Sequence, residues 1–219
     1  MSVGSFEEFV AARSAGLLRT AYLLTGDRVE ARDLLQGALI ATERSWAGFA
    51  DQDEATASAR RELVAAHTSW RRVLRAGDLL AGSPALANAA GFPGFARRPS
   101  DPGPQDEVST ALARLTPQLR ATLVLRYGAG LSVTDTAAAL GVPADTVTGS
   151  TARGLDALGT DGTRLTRWLA RRGEQVSTAP DDALRSVREG ARDRHSHRLG
   201  LLLLAAVLVA IVVLVAVSL

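Results

Sequence analysis

The sequence lacks cysteine and lysine, and aromatic residues account for only 5% of its 219 residues. The absence of cysteine excludes a disulfide scaffold, a thiolate metal site and a cysteine nucleophile. All 25 basic residues are arginine, so in this alanine-rich chain arginine alone is weak evidence for nucleic-acid binding. The chain is 47% apolar and 22% charged, which is typical of a globular protein rather than a disordered one.

Residue constellations that carry catalysis are also missing. The sequence has no Gly-rich phosphate loop, no metal-ligand cluster and no nucleophile–base arrangement. His195 and His197 are two residues apart, a spacing that does not place them on one face of a helix. We therefore expect no enzyme, no metal site and no cofactor.

The C-terminal part of the chain has the pattern of a membrane anchor. Residues 199–217 consist of Leu, Val, Ala, Ile and one glycine, and a helix of this length extends over about 29 Å, close to the hydrocarbon thickness of a bilayer. The segment is apolar on all sides, which favours a membrane span over a buried core helix. Five arginines precede it: Arg185, Arg188, Arg192, Arg194 and Arg198.

The positive-inside rule predicts that this arginine flank, with the whole N-terminal portion, lies in the cytoplasm. Residues 164–219 carry a net charge of +4, whereas residues 1–100 carry +1 and residues 101–163 carry −3. We expect a single-pass protein of the cell membrane, with a transmembrane helix over residues 199–218.

The remaining sequence predicts an all-α fold with two small helical domains. In residues 1–75, apolar positions repeat every three or four residues, and Gly26-Asp27 marks a helix boundary. Residues 76–104 contain five of the eight prolines and several glycines, which predicts an extended linker.

A second helical domain is predicted over residues 105–160. Thr116-Pro117 has the pattern of a helix start, and Ser132 to Asp135 that of a capping box. Two short helices joined by the turn at Gly141-Val142-Pro143 predict a helix-turn-helix. An ordinary helical hairpin within a bundle is the alternative.

Residues 161–198 are predicted to form a basic juxtamembrane stalk. Leu165, Trp168 and Leu169 form a short amphipathic stripe with arginines beside it. This stripe fits either contact with an anionic membrane surface or packing on the preceding domain.

Several runs together resemble the extracytoplasmic-function branch of the sigma-70 superfamily, in particular its sigma-E-like group. The resemblance covers roughly residues 5–75 and 105–158. The runs that carry it are Phe6–Val10, Leu18–Asp27, Asp33–Gln36, His67–Arg72, Leu112–Pro117, Leu123–Tyr127, Leu131–Val133 and Ala137–Gly141.

The resemblance implies a protein that binds RNA polymerase core and promoter DNA. It places Asp33, Leu34 and Gln36 in the polymerase contact. It places Trp70, Arg71 and Arg72 at the upstream promoter element, where aromatic rings can stack on flipped bases and arginine can hold phosphates. The last helix of the second domain would read a farther element in the major groove, through Thr146, Thr148, Gly149, Ser150 and Arg153.

The sequence departs from the family pattern at three positions, two of them in the helix predicted to read DNA and one beside the predicted polymerase contact. Gly37 stands where the family has an acidic residue, Thr148 where it usually has lysine, and Ser150 at a further polar or basic position. The helix over residues 144–158 carries a net charge of −1, and DNA affinity depends largely on phosphate neutralisation, so we expect weak binding by this module alone.

The sequence thus favours a membrane-tethered alternative sigma factor that directs promoter-specific transcription initiation. The alternative is a degenerate, sigma-like regulator or adaptor, anchored in the membrane, that no longer reads promoters. An anti-sigma factor or a protease that releases the protein is a possible further partner.

Overall fold

The computed structural model describes residues 4–79, 107–176, 182–185 and 187, and within residues 69–79 it describes the backbone alone. Every regular element of these residues is a helix, which confirms the predicted all-α fold for this part of the chain. The helices are α1 (Phe6–Thr25), α2 (Arg28–Arg44), α3 (Gln52–Leu79), α4 (Glu107–Arg114), α5 (Pro117–Leu123), α6 (Val133–Leu140), α7 (Ala144–Leu158) and α8 (Gly162–Gly173).

Two of the segments predicted from the sequence lie wholly or mostly outside the described residues. The predicted transmembrane helix, residues 199–218, lies outside the described residues, as does most of the predicted linker. Among the residues that are described, none of the helices combines the length and the apolar character that a membrane crossing requires. Helix α3 extends to Leu79, so the first residues of the predicted linker are helical; the first proline after them is Pro84, and no earlier residue forces the helix to stop.

Local capping chemistry sets the boundaries of the first three-helix bundle. The Ser5 hydroxyl accepts a hydrogen bond from the Glu8 amide at 3.1 Å, and the Glu8 carboxylate accepts one from the Ser5 amide at 3.0 Å. Helix α1 ends at Gly26, which has a φ of 76°. Asp27 then caps α2 by accepting from the amides of Val29 and Glu30 at 2.8 and 3.0 Å. These caps confirm the predicted boundary at Gly26-Asp27.

The first core lies among α1, α2 and α3. Phe9 and Leu39 are fully buried there. Trp46 covers one end of this core, with its ring centroid 5.2 Å from that of Phe9 and 5.4 Å from that of Phe6. The bundle is thus a small helical unit with its own apolar interior.

The second bundle contains the two helices and the turn of the predicted helix-turn-helix. Thr116 caps α5 with Pro117 in the first turn, and the Ser132 hydroxyl caps α6 by accepting from the Asp135 amide at 3.0 Å. A π-helical turn, Val124–Gly128, extends α5. Helix α6 ends at Gly141, which has a φ of 66°, and α7 begins directly after Pro143. The predicted turn between α6 and α7 is therefore present.

The two bundles pack against each other among the described residues. A second core contains Leu23, Leu24 and Val64 of the first bundle together with apolar residues of the second. Helix α6 packs against α3, and the π-helical turn packs against α1. Gly128 lies at this junction, where a Cβ atom would be 2.9 Å from Leu23 Cδ1. A larger residue would therefore separate the two bundles.

A buried arginine connects the two bundles by hydrogen bonds. Arg120 on α5 is 4% exposed. Its guanidinium donates to the carbonyl oxygens of Leu112 at 2.8 Å, Ala113 at 2.7 Å and Leu24 at 3.1 Å. These carbonyls lie near the carboxyl ends of α4 and α1, where helical carbonyls lack intrahelical partners. Arg120 therefore supplies partners to both bundles at once.

Part of the predicted stalk is packed against the bundles. Leu165 and Leu169 of α8 are buried in the second core, and Trp168 packs partly against it. Val176, Ala183 and Val187 are buried in the first core. Of the two alternatives for this segment, residues 162–176 pack on the preceding domain and do not leave their apolar stripe open to a membrane surface. Leu165 and Leu169, at i and i+4, form that stripe, and the second core covers it.

Replacement by alanine should change the free energy of unfolding in opposite directions at two glycines of α7. Gly149 has open space around its Cβ position, so Gly149→Ala should stabilise the protein by about 0.5–1 kcal/mol through helix propensity. At Gly154 a Cβ atom would be 2.9 Å from Leu123 Cδ1, and Leu123 is fully buried. Overpacking there should lower the stability by about 1 kcal/mol or more. Urea unfolding of both variants measures the difference; equal shifts would contradict this packing.

Candidate nucleic-acid interface

Helix α7 presents one face to the core and the opposite face to solvent. Val147, Ser150 and Gly154 form the buried face, at i, i+3 and i+7. Thr148, Gly149 and Arg153 are exposed, and Thr146 is half-buried. The structure therefore brings three of the five predicted DNA-facing residues onto one open surface.

Ser150 differs from the sequence-based expectation of direct contact. Its side chain is 2% exposed, so it has little surface to offer to a base or a phosphate. Its hydroxyl accepts a hydrogen bond from Arg153 Nη2 at 3.3 Å, and Arg153 Nε also donates to the Gly149 carbonyl at 3.3 Å. Ser150 thus orients Arg153 along the helix, a role that the sequence pattern could not distinguish from DNA contact.

The exposed face of α7 also carries acidic residues. Asp145 and Asp156 are exposed on the same helix as Arg153. Asp145 lies in the first turn, where a negative charge interacts favourably with the helix dipole but repels a DNA phosphate. Because DNA affinity rises with the number of phosphates neutralised, this surface offers little electrostatic attraction by itself.

The carboxyl-terminal part of α3 lies next to the turn of the helix-turn-helix. Thr68 and Ala65 of α3 line a groove of about 790 Å³ together with Gly141 and Val142 of the turn. Trp70, Arg71 and Arg72 follow Thr68 on α3, and their side chains lie outside the described atoms. The end of α3 is therefore a neighbour of the turn that precedes α7, while α7 itself does not line this groove.

The residues predicted to contact polymerase are divided between surface and core. Asp33 and Gln36 are half-buried and three residues apart, so they share one face of α2. Leu34 is 3% exposed and belongs to the first core, so its side chain stabilises α2 instead of offering contact area. At Gly37 no atom lies within 4 Å of the Cβ position, so packing would tolerate a side chain there.

Charged residues line the contact between the bundles, and no local sequence pattern indicates them. Arg13 Nη2 and Asp53 Oδ1 are 3.0 Å apart. Arg13, Asp53 and Arg60 line a cavity of about 250 Å³ with Asp135 of α6. Burial, and then the neighbouring Arg13, lower the pKa of Arg60, while Asp135 and Asp53 act in the opposite direction. These residues are far apart in sequence, so only the fold shows their proximity.

No metal centre is formed by the described residues, in which no three His, Cys, Asp or Glu side chains lie close enough to hold an ion. His67 is fully buried within the first bundle. His195 and His197 lie outside the described residues.

The chain is similar to several known proteins. Residues 105–158 match the family described as sigma-70, region 4. An RNA polymerase sigma-E factor of Streptomyces antibioticus is 34% identical over 193 residues, covering 86% of this chain and 93% of that protein. One of Streptomyces avermitilis is 35% identical over 155 residues, covering 68% of this chain and 80% of that protein.

Among solved structures, the sigma factor RpoE in complex with the anti-sigma factor NepR from Bartonella quintana is similar to this chain. The TM-score is 0.45 at 20% sequence identity. The match covers 71% of this chain and 93% of that chain.

If the exposed face of α7 lies against DNA, two opposite charge changes should shift affinity in opposite directions. Arg153→Gln should weaken binding to duplex DNA several-fold and reduce the salt slope by about one, because one phosphate contact is lost. Asp156→Asn should strengthen binding, because a repulsive charge is removed. Titration of the full chain with fluorescent duplex DNA at several salt concentrations measures both. Unchanged affinity in both variants would place DNA elsewhere.

Proposed function

Since the chain belongs to the extracytoplasmic-function group of the sigma-70 family, we propose that it is a membrane-tethered alternative sigma factor. It binds RNA polymerase core and directs promoter-specific transcription initiation. The observation that carries the proposal is the alignment with a sigma-E factor over 86% of this chain, which is long enough to take in parts of both bundles. Sigma factors are initiation factors and not enzymes, so the family implies no reaction at a catalytic site.

The polymerase contact is assigned to the surface of α2. Asp33 and Gln36 share one half-buried face of this helix. Leu34, on the buried face of the same helix, anchors α2 in the first core and so holds these two residues in position. Gly37 weakens this contact relative to the family pattern, because the acidic side chain usual at that position is missing.

Promoter contact is assigned to two elements. The end of α3, with Trp70, Arg71 and Arg72, would engage the upstream promoter element by stacking and phosphate contact. Helix α7 would enter the major groove of the farther element. Thr148 and Arg153 offer exposed side chains there, and the open backbone at Gly149 permits close approach.

The membrane tether is proposed from the sequence of residues 199–218, which contains no charged residue. A helix of that composition is favourable in a bilayer, and the arginines before it favour a cytoplasmic position for both bundles. Such an anchor would restrict transcription initiation to the membrane, or keep the protein inactive until a protease or another partner releases it.

A second candidate is supported by the charge of α7. The helix has two exposed acids and one arginine, and Gly37 lacks the usual acidic side chain. A membrane-anchored, sigma-like regulator that binds polymerase or another protein, but no longer reads promoters, would have the same features. Polymerase binding without promoter-specific transcripts would favour this candidate.

The polymerase assignment predicts that the double variant Asp33→Ala, Gln36→Ala loses most of its affinity for core polymerase. Gly37→Glu should increase the affinity, because the position has space for the side chain. Glu62→Ala, which removes an exposed acid of α3, is the matched control. Pull-down of core polymerase by the full chain in detergent measures binding. If wild-type protein retains no polymerase, the proposed function is wrong.

Transcription is tested in vitro, and location is tested by fractionation of cells. Mapping of transcript 5′ ends, with core polymerase and a library of genomic fragments, should show a shared promoter sequence that depends on the protein. Full-length protein should be recovered in the membrane fraction, and deletion of residues 199–218 should move it to the soluble fraction. Full-length protein found only in the soluble fraction would contradict the tether.

A further inference from the structure

The C-terminal segment, here residues 162–176, contacts both bundles and not only the one it follows. Leu165 and Leu169 are buried in the second core, which also includes Leu23 and Leu24 of α1. Val176 is buried in the first core. Helix α8 packs on α1 and on the π-helical turn alike. The segment therefore bridges the joint between the bundles.

Arg172 is the most specific contact in this bridge. It is 5% exposed, and its guanidinium carbon lies 5.4 Å from the ring centroid of Tyr22 and 5.6 Å from that of Trp168. A desolvated arginine between two rings makes favourable cation–π contacts. The Tyr22 hydroxyl also donates to Gln175 Oε1 at 3.4 Å. Tyr22 is fully buried, so these contacts hold the segment against the buried face of α1.

The packing that this bridge supports keeps the two DNA-facing elements together. The turn of the helix-turn-helix shares a groove with Thr68, two residues before Trp70. The proposed function requires α3 and α7 to bind two different promoter elements on one DNA. While α6 remains packed on α3, the position of α7 relative to the end of α3 is fixed, so the two elements cannot adjust to the spacing of two promoter elements.

We propose that the C-terminal segment is an intramolecular brace that holds the bundles in a closed, inactive arrangement. This inference rests on the proposed function. Activation requires the segment to detach from α1, so that α6 separates from α3 and each bundle reaches its own promoter element. Arg172 and its contacts with Tyr22 determine how readily this happens.

The chain contains no cysteine, so introduced cysteines can report the distance between the bundles directly. Ala65 of α3 and Ala138 of α6 are exposed and line the same groove, which makes them suitable for paired spin labels. In the full chain in detergent, the labelled pair should give a short distance. Arg172→Gln should lengthen or broaden it, whereas Arg171→Gln, an equal charge change at an exposed neighbour, should not.

A second, milder variant keeps the test valid if Arg172→Gln does not fold. Tyr22→Phe keeps the ring and removes only the hydroxyl that donates to Gln175, so it should shift the distance in the same direction by a smaller amount. If neither variant changes the distance relative to wild type, the brace is overturned, whatever the protein does in transcription.

Reversible crosslinking tests whether closure blocks activity. The pair Ala65→Cys, Ala138→Cys is joined with a cleavable bismaleimide, and transcription with core polymerase is measured before and after cleavage. We expect at least a tenfold loss that cleavage restores. The pair Ala11→Cys, Ala15→Cys, which joins two exposed positions one turn apart on α1, is the control and should keep its activity.

The outcomes separate the brace from the proposed function. Equal transcription by the locked and cleaved forms would overturn the claim that the closed arrangement is inactive. If neither the unlabelled wild type nor Arg172→Gln, in which the brace is weakened, produces transcripts, the proposed function fails. The spin-label distances of Arg172→Gln and Arg171→Gln then still decide whether the segment braces the two bundles.

Discussion

The structure depends on one buried cation that satisfies helix ends in two bundles. Arg120 donates to carbonyls of α4 and α1 from a position that solvent barely reaches. A buried charge costs several kcal/mol unless its donors are paired, and here the guanidinium is paired with three carbonyls. The contact is therefore favourable only when α1 and the second bundle are in place together, which links the folding of one to the position of the other.

This constraint also determines where function can lie. Parts of α1, α5 and α8 are buried in the second core, and among the described residues the predicted partner contacts lie on the outer faces of α2 and α7, with the end of α3 beside the groove at Thr68. The outer face of α7 is open, but its acids limit its attraction for DNA. Promoter reading would then depend on polymerase holding the second bundle near DNA more than on intrinsic affinity.

Local features of the fold were predictable from the sequence, because the residues that cap a helix lie next to it. Gly26-Asp27, Ser132 and Gly141 each define a boundary by backbone geometry or by hydrogen bonds within four residues. The contact of Arg120 with Leu24 spans 96 residues and left no local pattern. Burial of Ser150 likewise depends on helix rotation within the bundle, and the family resemblance that assigned Leu34 and Ser150 to contacts carried no information on how far each side chain is exposed.

Hydrogen exchange of the full chain, wild type against Arg120→Met, tests most directly whether the bundles form one body. Methionine removes the donors and leaves the Leu24 and Ala113 carbonyls without this partner, at a cost of about 1–3 kcal/mol for each, whereas the Leu112 carbonyl still accepts from the Leu115 amide. If the bundles share one core, amides at the end of α1, including Gly26, should lose protection together with those of α4 and α5. Loss confined to α4 and α5, with α1 protected as in wild type, would show that the bundles fold and act independently.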